Sequence, residues 1–370
     1  MSLWLDSVPP PRPPLDGDLS IDVAIVGGGV AGVATAYALA RAGASVALVE
    51  ARHLASAASG RNAGFLLTGV AENFVAASRR YGEPTAQRVW RFTRRNQELV
   101  RSVVAAHAIA CDLEWNGSLQ VAGDDDEWLE ILGSVVKLVP LGFRATLDEG
   151  SRSAWHADDG ALHPAHFVRG LASAAEALGA RVYQGTTAES VARDAVRTRA
   201  GTLRASAVVV CANAYAPHMV RARIRPVRGQ MLATAPLRER VLTRPAYAYR
   251  GYRYWRQTAD GRVLVGGWRD LALAEEVGEE ERTTERIQSA LDGFLRESGI
   301  TVPVTHRWAG IMGFSHDGLP YVGRLPDGVF LCAGFSGHGL GFALASAELV
   351  AALVRGGSPE DADIFDPQRP

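Results

Sequence analysis

The sequence predicts an α/β (α+β) protein. A discontinuous Rossmann-like domain, drawn from the start, middle and end of the chain, is completed by a domain built on an antiparallel sheet. Three observations carry this. Asp22 to Glu50 reads as strand, glycine turn, helix, strand. A second glycine-rich turn, Ala333 to Gly341, leads into an apolar helix near the other end. Between them, from Ala246, bulky aromatic and polar residues alternate as in antiparallel strands with one wet face.

Residues 1–20 form a proline-rich, acidic extension without the basic and apolar segments of a secretory signal. Asp22 to Val26 is an apolar strand, and Gly27 to Gly32 is a G-x-G-x-x-G turn. Ala31 to Ala42 has helical periodicity and stops at Gly43; Ser45 to Glu50 is the next strand. In such a unit the first glycine permits the turn, the second leaves room for a pyrophosphate, and the third lets helix and strand approach. Glu50 stands about twenty residues on, where an acid holds a ribose hydroxyl. The spacing alone does not choose between NAD and FAD.

Ala51 to Phe65 is a loop of small residues, and Arg79 to Ala106 reads as one amphipathic helix. Asp124 to Glu127 reads as a solvated turn into a helix, His163 to Leu178 as a helix, Arg181 to Gln184 and Ala207 to Cys211 as strands. The aromatic run turns at Asp260-Gly261; Glu275 to Glu281 is expected to be solvated. Thr283 to Ser298 is a helix and His306 to Met312 a strand. The expected division is an extension at 1–20, a Rossmann-like domain at 21–74, 159–227 and 309–370, and a substrate domain at 75–158 and 228–308.

Composition removes several classes. A formal net charge of −1 over 370 residues, with no basic stripe, argues against nucleic acid and anionic membranes as partners. No apolar run is long enough to span a bilayer; the C-terminal helix is interrupted by Glu348. Three cysteines, Cys111, Cys211 and Cys332, in apolar settings fit reduced thiols and a cytoplasmic location. Lys137 is the sole lysine, so there is no Walker loop, and a Schiff-base mechanism would rest on that residue. His163 and His166 form H-x-x-H with no third ligand near, so no metal is expected.

More specific signals are Ala58-Ser59-Gly60-Arg61-Asn62-Ala63-Gly64, His316 to Gly323, and Ala333-Gly334-Phe335-Ser336-Gly337-His338-Gly339. With the dinucleotide turn, they resemble the FAD-dependent D-amino acid oxidase superfamily, which includes glycine oxidase, sarcosine oxidase and γ-glutamylputrescine oxidoreductase. The opening Leu3 to Ser7 and the run Tyr254 to Thr258 look most like the last branch. The resemblance implies one extended, non-covalent FAD in the Rossmann-like domain. Gly27, Gly29, Val30, Ala31 and Gly32 would hold its pyrophosphate and Glu50 a ribose hydroxyl, with Ala51 and Arg52 also cofactor-binding. Ser59, Arg61, Asn62 and Ala63 would line its ring and ribityl chain, with Gly60 and Gly64 in the same cofactor-binding loop. Ala188 would meet the adenine and Ala212 the middle. Gly310, Gly334, Gly337, His338, Gly339, Leu340 and Gly341 would lie at the ring.

It also implies oxidation of a C–N bond in a small-molecule amine or amino acid. Hydride passes from the α-carbon to flavin N5, and the imine left behind is hydrolysed. Tyr254, His338 and Arg253 are the catalytic candidates; Tyr254, Arg256, Trp268, Arg269 and Met312 are the substrate candidates. Alternatives are a sarcosine-type demethylating oxidase and an NAD-binding dehydrogenase. Met312 follows Trp308 to Ile311 where glycine oxidase-like proteins carry an arginine, and Gly341 stands where sarcosine oxidase-like proteins carry a lysine. Leu264 stands where the latter place an oxygen-activating lysine. Oxygen or another electron acceptor is therefore left open, with slow reaction with oxygen expected.

Overall fold

The protein is described by a computed structural model that covers residues 1–370. The first sheet runs in the order Tyr321–Arg324, Phe330–Ala333, Gly201–Val210, Leu19–Val26, Val46–Val49, Arg181–Tyr183. From Phe330–Ala333 to Arg181–Tyr183 every neighbour is parallel. Val46–Val49 and Phe330–Ala333 are buried along their whole length, as parallel strands covered on both faces should be. Helices Val30–Arg41, Pro164–Ala177 and Gly339–Val354 pack beside one another against this sheet.

The second sheet runs Val304–Phe314, Arg225–Pro236, Arg262–Gly267, Arg253–Gln257, Ala246–Ala248, Ser118–Val121, Ser153–His156, Ala145–Asp148. Its pairings are antiparallel except that of Ala246–Ala248 with Ser118–Val121, which is parallel. Arg225–Pro236 and Val304–Phe314 pair along nearly their whole length, so divisions at 227/228 and 308/309 fall inside paired strands.

Three local expectations need correction. The helix expected from Arg79 is two helices, Phe74–Tyr81 and Glu83–Ala106. Gly82 between them has φ +81°, a left-handed value, and Pro84 occupies the first turn of the second helix, where its missing N–H costs nothing. The extension is anchored at its start: Trp4 is buried, its indole N–H donates to Asn62 O at 2.6 Å, and the Ser2 hydroxyl donates to Gly60 O at 2.8 Å. In the Asp124 run, Asp124 caps helix Asp125–Leu138, while buried Glu127 accepts N–H groups from Gly123 and Arg250.

The acidic stretch at 275–281 is not uniformly solvated either. Glu276 is 1 % exposed and forms a double hydrogen bond with Arg228, itself 2 % exposed. Paired burial explains this: a lone carboxylate could not enter the interior, but a bidentate guanidinium partner offsets its desolvation.

Candidate functional site

A single cavity of about 780 Å³ runs between the two sheets and is walled by loops from both. One end is lined by Gly27 to Ala31, Glu50 to Arg52, and Thr186 to Ala188. Gly27 has φ +114°, and a side chain there would meet Cys211 O at 2.8 Å. A Cβ on Gly32 would sit 1.9 Å from Gly27 O, so Gly32 sets how closely helix Val30–Arg41 meets its strand and does not line the cavity. Gly29 caps that helix, and its N–H donates to no protein group. The helix thus opens on the cavity with an unpaired donor and the positive end of its dipole, a fit for a phosphate. Glu50 accepts N–H bonds from Gly28 at 2.7 Å and Arg52 at 2.8 Å, which fixes its carboxylate at the wall.

Ser59, Arg61, Asn62 and Ala63 line the cavity; Gly60 and Gly64 do not. A Cβ on either would lie 2.2 Å from a carbonyl, Ala55 O or Leu162 O, so these glycines shape the loop from behind. Asn62 ties the loop together, donating to Ala58 O and Ser59 O and accepting from Gly64 N–H. Arg61 donates to Ser56 O and Ala309 O and pairs with Glu281 at 2.9 Å. Ala188, Ala212 and Gly310 are also on the wall. Gly334 is not; its N–H donates to Asn213 Oδ1 at 2.9 Å. Asn213 thereby ties the Ala212 loop to the second glycine turn, a role that the plain Ala-Asn-Ala sequence did not signal.

At the other end, Gly337, His338, Gly339, Leu340 and Gly341 line the cavity where helix Gly339–Val354 begins. The Gly337 N–H, like that of Gly29, donates to no protein group. His338 Nδ1 lies 3.4 Å from Ser336 O, so that nitrogen carries the proton, and Nε2 faces the Tyr247 hydroxyl at 3.5 Å. Burial pushes His338 down to about 4, so it is neutral at physiological pH. Burial also raises Tyr247, and Tyr254 to about 12, so both stay protonated. The two tyrosine rings stack 5.8 Å apart, with Phe65 against both. Arg269 lies over the rings of Tyr252 and Phe314 and has no carboxylate partner. Met312 completes this end.

Three substrate-side candidates are elsewhere. Arg253 follows the opposite face of its strand from Tyr254, pairs with Asp270 at 3.3 Å and stacks on Tyr249. Arg256 shares Tyr254's face but lies two residues farther along, beyond the cavity, where it donates to Leu162 O beneath Trp4. Trp268 packs on Phe294. Leu264 is buried in the main core and does not line the cavity. Lys137 is exposed and paired with Glu83. His163 caps helix Pro164–Ala177 and stacks on His166. Tyr247, Phe65 and Phe314 are wall residues that reading along the chain did not single out.

Residues 22–353 match the DAO family, described as FAD dependent oxidoreductase. The chain belongs to this family. It is therefore an FAD-dependent oxidoreductase, and the NAD-dehydrogenase alternative is set aside. Among curated relatives of the chain, the γ-glutamylputrescine oxidoreductase of Escherichia coli K12 is 28 % identical over 95 % of this chain and 87 % of that protein. Glycine oxidase of Bacillus licheniformis is 27 % identical over 90 % and 93 %. The crystal structure of glycine oxidase from Geobacillus kaustophilus shares the fold, with a TM-score of 0.80 at 23 % identity over 95 % of this chain and 99 % of that one. The two unpaired N–H groups at Gly29 and Gly337, at opposite ends of one elongated cavity, fit a cofactor with an anionic middle and an electron-accepting ring.

Proposed function

We propose that this enzyme oxidises the C–N bond of an amine or amino acid that also carries a carboxylate, using non-covalent FAD in the cavity. The observation that carries the reading is the cavity itself: one continuous space joins the dinucleotide turn to an aromatic box containing neutral His338 and unpaired Arg269. Bound there, FAD would supply the acceptor for a hydride from the substrate's α-carbon, and hydrolysis of the resulting imine would give a carbonyl compound and an amine or ammonia.

This chain's residues supply position, dryness and charge. Tyr247, Tyr254 and Phe65 exclude water and hold the reacting carbon in one place. Desolvation beside the Arg269 cation favours the neutral amine over the ammonium, so no strong protein base is needed. The Tyr247 hydroxyl, whose proton faces His338 Nε2 at 3.5 Å, keeps an oxygen lone pair that can accept a hydrogen bond from the amine N–H. Arg269, held between rings with its donors unclaimed by any acid, suits a substrate carboxylate. Met312 and Gly341, both on the wall, leave no cation at the two positions where glycine- and sarcosine-oxidising relatives are expected to hold a compact substrate's carboxylate. A longer substrate reaching Arg269 fits better than the N-methyl amino acid of the demethylating alternative. The test is anaerobic bleaching of the bound flavin by a panel of amines with and without an acid group. Bleaching by glycine or sarcosine, with longer amino acids inert, would overturn the substrate assignment.

A further inference from the structure

We propose that residues 276–284 form a strap across the dinucleotide end of the cavity, with Glu281 as its latch, and that this latch sets how fast FAD leaves. The inference rests on FAD occupying the cavity as described above.

Both ends of the segment are fastened to the second sheet. At one end the buried Arg228 guanidinium donates to both oxygens of Glu276, at 3.0 and 2.9 Å, and to Glu275 O at 2.8 Å. Gln230 donates to Glu276 at 2.9 Å, and Gly278 N–H donates to Pro226 O at 3.1 Å. At the other end Thr284 N–H donates to Gln230 Oε1 at 2.9 Å. The middle of the segment reaches the opposite side. Glu281 lies between Arg52, at 3.1 Å, and Arg61, at 2.9 Å, and Glu279 meets His218 at 2.8 Å. Arg52 and Arg61 belong to the loops that follow the first β-α-β unit. Glu279, Glu281 and both arginines line the cavity.

An isolated exposed ion pair would mean little. Here one carboxylate ties two cations that are covalently part of the far wall, Arg61 is largely buried, and the segment is tethered on both sides. A cofactor leaving past this rim must lift the strap, and lifting it breaks both contacts of Glu281 at once. Binding and release then differ in the latch and not in the glycine turn.

The test compares native holoenzyme with Glu281→Gln and, as control, Glu280→Gln, whose exposed carboxylate pairs only with Arg282. Flavin release is followed by the rise in free-FAD fluorescence after dilution. Glu281→Gln should release FAD about tenfold faster, an effect on the off-rate. Glu280→Gln should match native protein. Salt at about 1 M, where screening extends only about 3 Å, should speed native release towards the variant's rate and leave the variant's own rate nearly unchanged. Equal release from all three proteins, or slower release from Glu281→Gln, overturns the latch. The native salt dependence carries the test if the variant does not fold. A protein that binds no FAD, or whose Gly29→Val variant keeps full flavin, would instead indict the placement of the cofactor.

Discussion

The Tyr247 hydroxyl stands 3.5 Å from Nε2 of His338. Tyr247 belongs to a three-residue strand of the second sheet, and His338 caps helix Gly339–Val354, which packs on the first sheet. Elements of the two sheets therefore meet at this end of the cavity. Removing either side should weaken catalysis without emptying the site. Tyr247→Phe and His338→Asn are expected to keep FAD and to lower kcat/KM by about ten- to hundredfold, the range of a lost positioned hydrogen bond. Native kcat/KM for both variants, with flavin retained, would remove this pair from the chemistry.

The same histidine makes a pH prediction. His338 is pushed down to about 4 and His163 to about 3, both by burial. Each folded value lies below the ordinary 6.5, so the unfolded chain takes up protons first as pH falls. The stability these groups contribute is fully present above pH 6.5 and is lost as pH falls towards 4 and then 3. Tm should therefore decline from pH 6.5 to 4, and less steeply in His338→Asn. In kinetics, His338 should contribute no inflection near 6.5; an inflection there that vanishes in His338→Asn would show that it is charged when the enzyme works.

Gly29→Val should give folded, colourless protein. The φ of Gly29 is −79°, which any residue adopts, so the substitution strains no backbone. It adds bulk on the cavity side, where even a Cβ would approach Ser59 Oγ to 3.0 Å. Circular dichroism should be native and the flavin absorbance near 450 nm lost. Native flavin content would show that this turn does not hold the cofactor.

The β-α-β unit was legible because its signals are local: an apolar strand, fixed glycine spacing and Glu50. The substrate end was not, because it depends on register. Tyr254 was visible in the hairpin, but Tyr247 reaches it only through the pairing of Ala246–Ala248 with Arg253–Gln257. Alternation along one strand separates Arg253 from Tyr254, yet it cannot say that the cavity ends before Arg256. The acidic run looked solvated because the partners of Glu276 and Glu281 lie far away in sequence, at Arg228 and at Arg52 and Arg61.

Arg269 should act on binding more than on the chemical step. Arg269→Met is expected to raise KM for carboxylate-bearing amines about tenfold or more, with kcat changed much less, and to leave uncharged amines unaffected. A uniform fall in kcat for every substrate would place Arg269 at the reacting atoms instead.

Flavin should be released by acid. Cys332 is buried in strand Phe330–Ala333 away from the cavity, and the cavity-lining Cys211 lies beside Gly27, at the dinucleotide end. His338 is the nearest histidine to the second glycine turn, and its Nε2 is turned towards Tyr247. Trichloroacetic acid precipitation should leave the yellow colour in the supernatant; colour in the pellet would reveal a covalent link.

The central claim is that the C–H bond next to an amine nitrogen is broken as the flavin is reduced. The direct measurement is anaerobic stopped-flow reduction of the native holoenzyme by an amine that bleaches it, with hydrogen or deuterium on the α-carbon. Flavin bleaching several-fold slower with deuterium, in a single phase that yields one imine-derived carbonyl per flavin, is the predicted result. Bleaching at equal rates with both isotopologues, or reduction by a nicotinamide cofactor while every amine leaves the flavin oxidised, would contradict it.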